Sequence, residues 1–347
     1  MWHFQNRPRR RIGRIVSLLC AVPLAVAGSS GFTDRADSAA ESGARAAEGP
    51  SFGSFAPYVD MGLWPTAHLP SLVEPAGTKF FNLAFIQANY TACEARWFGF
   101  NGPNPRNGWQ KKQIEDLRAL GGEVRVSFGG AHNYELAEVC RDEDALFREY
   151  DAVVRAYALR FVDFDIEGAA IMDTAAVDRR SRAIARLQAA HPQLQVSLTL
   201  PVMPEGISAP GMTVVQSAKT AGVVLDRVNV MAMDYGRPNS DYGENALRAA
   251  QSTFNQLRSV FPEKSDAQVW GMVGVTPMLG KNDDGGTYDQ AAARKLVDFA
   301  RAHGVGLLSH WELTRDGGAC FADTLTLCTN VPQAPYEFSE ILSQYRE

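Results

Sequence analysis

The chain has 347 residues, 46% apolar and 21% charged, with a formal net charge of −5. This composition suits a folded domain and excludes wholesale disorder, and the length allows one large α/β barrel or two smaller domains. Beyond the first residues no run of Lys and Arg occurs, so a nucleic-acid role, which needs concentrated positive charge, is not expected.

Residues 1–27 read as an export signal. Arg7, Arg9, Arg10, Arg11 and Arg14 precede the apolar stretch Ile15 to Leu24, and Ala25, Val26 and Ala27 give an A-x-A cleavage site. The apolar stretch falls short of the ~20 residues that span a bilayer, so cleavage rather than stable membrane insertion is expected. The adjacent arginines are compatible with twin-arginine as well as general export. Removing the segment takes away five positive charges and no negative ones, so the net charge moves from −5 to −10. The expected product is a monomer secreted to an extracellular or periplasmic space. Residues 28–52 are rich in Gly, Ala and Ser, with Phe32 and Phe52 as their large apolar side chains, and read as a flexible linker. Residues 53–347 form the third segment, a barrel of catalytic size.

From Phe55 onward, short apolar runs alternate with stretches of helical period. The predicted strands are Phe55 to Asp60, Lys79 to Phe85, Glu123 to Phe128, Phe161 to Ile166, Val196 to Leu200, Arg227 to Met233, Val269 to Val275 and Gly306 to Trp311. Helical patterns fill Gln110 to Leu120, Asp144 to Ala158, Ala175 to Ala190, Asn245 to Val260 and Gln290 to His303, with glycine stops such as Gly121 and Gly304. Eight strands interleaved with helices predict an α/β protein, a single (β/α)8 TIM barrel. No glycine-rich phosphate loop follows the first strand, which disfavours a dinucleotide fold.

Cys20 lies in the signal, leaving Cys93, Cys140, Cys320 and Cys328. An even number in an exported protein suggests two disulfides. Three pairings are possible; Cys93 with Cys140 and Cys320 with Cys328 is chosen on the short loop between the latter two. A zinc site is the other reading, but no cysteine pair has two-residue spacing, and His132 and His310 do not complete a ligand set.

The segment Phe161 to Gly168 carries the chemistry. Side chains alternate across a strand, so Asp163, Asp165 and Glu167 share one face while Val162, Phe164 and Ile166 take the other. In a barrel strand this lines three carboxyls toward the axis, Glu167 at the C-terminal mouth where barrel active sites lie. Three like charges roughly 6–7 Å apart cannot all ionise cheaply in a partly dry interior, so at least one must hold its proton, as a general acid requires. The bland alternative pairs these acids with buried cations, for which Arg125 and Arg227 are the candidates. A divalent-cation site is another, though no glycine-bearing cation loop supports it.

Asp163, Asp165 and Glu167 resemble the D-x-D-x-E core of the glycoside hydrolase family 18 chitinases. Ser127, Phe128, Gly129 and Gly130 resemble that family's S-x-G-G motif, Met231 to Tyr235 its M-x-Y-D motif, and Trp311 ends the eighth strand where the family places a tryptophan under the sugar. The resemblance runs from about Phe55 to the C-terminus. Two departures stand out: Arg160 and Phe161 replace the leading D-G of the longer motif, and Met233 replaces the tyrosine. Tyr235 would share a face with Met233 if the strand continued, and so could supply the missing hydroxyl.

The resemblance implies hydrolysis of β-1,4-linked N-acetylglucosamine polymers, chitin or its oligosaccharides, with endo action expected over exo. The implied mechanism is substrate-assisted and retaining. Glu167 is general acid and base, Asp165 holds the acetamido group, and Asp163 shares its proton or charge. Asp234, Tyr235, Met231, Met233 and Trp311 are the implied substrate-binding residues, and neither metal nor cofactor is required. Trp64, Trp97 and Trp109 are further candidate sugar platforms, while Gly129 and Gly130 are read as allowing close backbone approach. His132 and His310 are read as packing residues, since no Ser-His-Asp set accompanies them. Two alternatives remain on the same barrel: a non-hydrolytic chitin-binding, lectin-like protein, a class that typically loses the glutamate, and an endo-β-N-acetylglucosaminidase cutting the chitobiose core of N-glycans.

Overall fold

A computed structural model describes residues 52–318, 320–321 and 327–345. The signal reading, and the linker reading apart from Phe52, lie outside those residues. Parallel strands pair in chain order: β1 (Tyr58–Asp60), β2 (Phe80–Asn89), β3 (Glu123–Gly129), β4 (Phe161–Asp165), β5 (Gln195–Met203), β6 (Leu225–Ala232), β7 (Val273–Pro277) and β8 (Leu307–Leu308). The ring closes where Phe55 bridges Leu308, with the Ala56 N–H donating to the Leu308 carbonyl at 3.0 Å and that of Tyr58 to His310 at 3.1 Å. This is the (β/α)8 barrel the alternation predicts.

The helices start where short acceptors meet orphan N–H groups. Asp142, Asp173, Asp241 and Asp289 cap Glu143–Tyr157, Thr174–Ala190, Tyr242–Val260 and Gln290–His303, each accepting from a backbone N–H inside the first turn. Gly304 ends the last of these in the left-handed region, φ 72°. Outward strand residues such as Phe128 and Phe164 stack at 5.1 Å and meet Tyr150 of the covering helix. The helix–sheet layer is therefore the main apolar core.

Several boundaries differ from the sequence reading. Val269 to Val275 is not one strand: Ser265 and Gln268 form a capping box that starts the helix Asp266–Met272, and β7 begins at Val273. The helix Ala209–Thr220, capped by Ser208, has only a weakly amphipathic sequence and was not anticipated. Ala92–Trp97 folds back antiparallel on β2, a hairpin outside the simple βα alternation. Cys93–Cys140 ties this hairpin to the segment after β3, and Cys320–Cys328 closes the second bridge, so both pairings are as chosen. Phe52, placed at the end of the linker, is instead buried at the base of the barrel against Phe161, with the Arg125 guanidinium 4.2 Å above its ring.

Candidate active site

The inward face of β4 rises from Asp163 to Asp165 to Glu167. Parallel register sets Ser127 of β3 and Ser197 of β5 level with Asp163, and hydroxyls surround it. Ser127 Oγ donates to Asp163 Oδ2 at 2.7 Å and Tyr58 O–H at 3.0 Å; Ser197 Oγ donates to Oδ1 at 2.5 Å and Thr199 Oγ1 at 2.9 Å. The alternative of arginine partners for these acids is not what the structure shows at Asp163. Arg125 turns to Asp226 at 3.4 Å, and Arg227 to the same carboxylate at 3.0 Å. The carboxylate motif does not point to Tyr58, Ser197 and Thr199, although a Tyr, Ser or Thr on the inward register of a buried strand is itself a signal of an internal polar layer. That layer continues through Asn229, which donates to Thr199 at 3.1 Å and accepts from Thr276 at 2.8 Å.

The two carboxyls above Asp163 carry the electrostatic cost. Asp165 is 4% exposed, and its Oδ1 has no hydrogen-bond partner among the described residues. Burial first, then Glu167 and Asp163, push its carboxyl well above the usual range. Glu167 is pushed up to about 7 by burial, reinforced by the charge of Asp234. A carboxylic acid half-protonated near neutrality at a barrel mouth can both give and take a proton. The environment of Glu167 adds one neighbour to the sequence reading: besides the inner Asp165, with which it interacts, Glu167 feels the charge of Asp234.

Asp165, Glu167, Met231, Met233, Asp234 and Trp311 line a single cleft of about 460 Å³ at the C-terminal ends of the strands. Trp311 stacks on Phe85 at 5.5 Å and 19°. Asp234, two residues past the end of β6, is in the left-handed region, φ 49°, its N–H donating to Asn282 Oδ1 at 3.2 Å and its Oδ1 accepting from the Asp284 N–H at 3.3 Å. This turn separates Met233 from Tyr235. The strand does not continue, so Tyr235 leaves the face of Met233 and is buried at 3% exposure against Tyr242, outside the cleft lining. The hydroxyl expected from Tyr235 is therefore not presented beside Met233.

Other expectations divide. Gly129 has φ 106°, and a Cβ there would come within 2.0 Å of the Asp165 carbonyl, which accepts from the Gly130 N–H; the structural role read for these glycines is what the geometry shows. Trp97 is no sugar platform: it is fully buried, its Nε1–H donating to Tyr157 at 2.8 Å, with Trp109 packed on it. Trp64 is 92% exposed. His310 is buried, with Nε2 3.1 Å from Ser339 Oγ, and burial pushes it down to about 3, as befits a packing residue. Arg160, the departure behind Asp163, sits at the opposite end of β4 and pairs with Glu123 at 2.6 Å.

No protein-family model matches the chain. It is, however, 32% identical to the catalytic domain of a hyperthermophilic chitinase from Pyrococcus furiosus, with a TM-score of 0.79 over 86% of this chain and 96% of that one. The chain belongs to the family 18 chitinases. It is also 34% identical over 308 residues to a probable bifunctional chitinase/lysozyme of Escherichia coli, and 35% over 279 residues to Endochitinase 11 of Metarhizium anisopliae. These alignments cover 84% and 76% of this chain but 34% and 52% of those proteins, so the chain spans about a third to a half of the curated relatives' length. A GH18 chitinase from Pseudoalteromonas aurantia, 16% identical with a TM-score of 0.55, shares the fold.

Proposed function

We propose that this family 18 chain hydrolyses β-1,4-linked N-acetylglucosamine polymers, with Glu167 as the group that moves the proton. The observation that carries this reading is the pairing in one cleft of a carboxyl raised to about 7 with a buried, unpartnered carboxyl oxygen, Asp165 Oδ1, placed to accept an amide N–H. The sugar's 2-acetamido oxygen attacks its own anomeric carbon as the glycosidic C–O bond breaks, and Glu167 protonates the leaving oxygen. An oxazolinium ion results, its N–H held by Asp165. Glu167, now a carboxylate, takes a proton from water as that water bonds to the anomeric carbon from the face the leaving group left and the oxazolinium C–O bond breaks, so that two inversions retain configuration. Met231 and Met233 line the same cleft as apolar walls for the sugar, and the Phe85–Trp311 pair supplies an apolar floor for a pyranose ring.

A solved chitinase from Pyrococcus furiosus carries chito-oligosaccharides, which supports the same class of partner here. Endo action is the favoured mode, in keeping with the endochitinase relative. Export after loss of residues 1–27, with a linker before the barrel, is supported by the two disulfides, and a monomer is the working state. No helix among the described residues is long and apolar enough to cross a membrane.

The test is digestion of fully N-acetylated hexamer with product sizing and anomer analysis. Chelator-insensitive release of shorter oligomers in the retained anomer supports the mechanism; tight binding without cleavage replaces it with a lectin-like role, and cleavage lost with chelator replaces it with a metal-dependent one.

A further inference from the structure

The cleft contains more carboxyl groups than the mechanism uses. Its lining includes Asp60, Asp165, Glu167, Asp234 and Asp283 and no Lys or Arg, with His132 as the lining residue able to carry positive charge. Asp60 is the carboxyl furthest from the acetamido machinery in role, and its placement is set by simple alternation. Tyr58 of β1 reaches Asp163, so Asp60, two residues on and on the same face, lies roughly 6–7 Å nearer the mouth, in the cleft lining it shares with Asp165.

Its surroundings suit a cation. Asp60 Oδ1 accepts the Gly62 N–H at 2.8 Å. Behind it stands not a counter-ion but another carboxyl, Glu312, whose Oε2 accepts the Asp60 N–H at 3.4 Å and which burial holds at about 7. The nearby buried guanidinium of Arg315 is turned to the carbonyls of Leu279 and Lys281. Phe85 and Trp311, stacked in the same cleft, offer ring faces, which attract ammonium groups as well as pyranose C–H. Burial raises the Asp60 carboxyl above its ordinary value, and a cation beside it would relieve that.

We infer that Asp60 is a specificity residue that favours a glucosamine unit with a free, protonated amine at the position next to the N-acetylated sugar held by Asp165. The preferred polymer is then a partially N-deacetylated one. This rests on the chitinase reading of the cleft. A neutral N-acetylglucosamine in that position would leave Asp60 with the His132 imidazole as its one charge neighbour in the cleft lining, whereas an ammonium in a partly dry cleft gains a Coulombic contact that water does not fully screen.

The experiment is digestion of a randomly, partially N-deacetylated β-1,4 polymer at mildly acidic pH, with products end-labelled and sequenced by tandem mass spectrometry. The expected result is enrichment of free-amine units by roughly threefold to tenfold at a single position adjacent to the N-acetylated unit at the cut. Asp60→Asn keeps an oxygen for the Gly62 N–H and removes the charge, so the enrichment disappears; raising salt to about 1 M shrinks it in the unaltered protein. The readout is a ratio within one digest, so a general loss of activity does not move it. Cleavage with no positional bias, or with a bias that survives Asp60→Asn and high salt, overturns the proposal alone. Failure to cleave fully N-acetylated hexamer overturns the chitinase reading beneath it.

Discussion

The two ends of the barrel treat charge in opposite ways. At the base, every prominent carboxylate has a guanidinium: Glu123 takes Arg118 at 2.8 Å and Arg160 at 2.6 Å, and Asp226 takes Arg125 and Arg227. Phe52 seals that end beneath Arg125, and the larger hollow beside it, about 820 Å³, is lined by Arg160, Arg227 and several glutamines without an unpaired acid. At the mouth, Asp165 and Glu167 face a cleft with no Lys or Arg in its lining, and the deeper Asp163 accepts its hydrogen bonds from hydroxyls. Paired charges fix a fold, whereas charges left unpaired in a partly dry site retain protons that chemistry can use. The base is built for stability and the mouth for reactivity.

Substitutions at the two ends should therefore separate activity from stability. The largest effect is expected for Glu167→Gln, which removes the proton donor: kcat/KM on N-acetylated oligomers should fall by roughly 10³-fold or more, with oligosaccharide binding retained and thermal midpoint unchanged or slightly higher. A variant with near-normal turnover would remove Glu167 from the mechanism. At the base, Phe52→Ala should cost about 3 kcal/mol of unfolding free energy in denaturant titration while leaving kcat/KM within about twofold. Equal loss of activity and stability would erase the contrast between the ends. Asp165→Asn should lower kcat by roughly 10²-fold and modestly raise stability, since it relieves the repulsion with Glu167 and Asp163.

The smallest effect concerns pH. Glu167 must be protonated to act as an acid, so kcat/KM should fall as pH rises through about 7. The negative charge of Asp234 helps to hold that proton. Asp234→Asn should let it leave earlier, moving the alkaline limb to lower pH by on the order of half a unit. A limb that stays in place would assign the shift of Glu167 to burial and its neighbour Asp165.

How much of this was legible in the sequence depends on the range of the signal. Strand order, the inward row of Asp163, Asp165 and Glu167, and most helices followed from alternation and capping, which are local. The helix Asp266–Met272 was mistaken for strand because an apolar run with Trp270 and Met272 reads the same in either state until its capping box is noticed. Trp97 stands in the sequence only as a candidate platform because its hairpin partner leaves no local signal, and Tyr235 falls on the cleft only if the strand continues, which the left-handed Asp234 prevents.

The sequence by itself determined the barrel and the identity of its acids, since period-two alternation dictates which side chains face the axis. Only the tertiary structure decided that hydroxyls rather than arginines meet Asp163, that Asp234 opposes Glu167, and that Tyr235 turns away. These depend on register between strands and on loops that meet across the mouth, and pairings between residues tens to hundreds of positions apart leave no mark in any local stretch of chain.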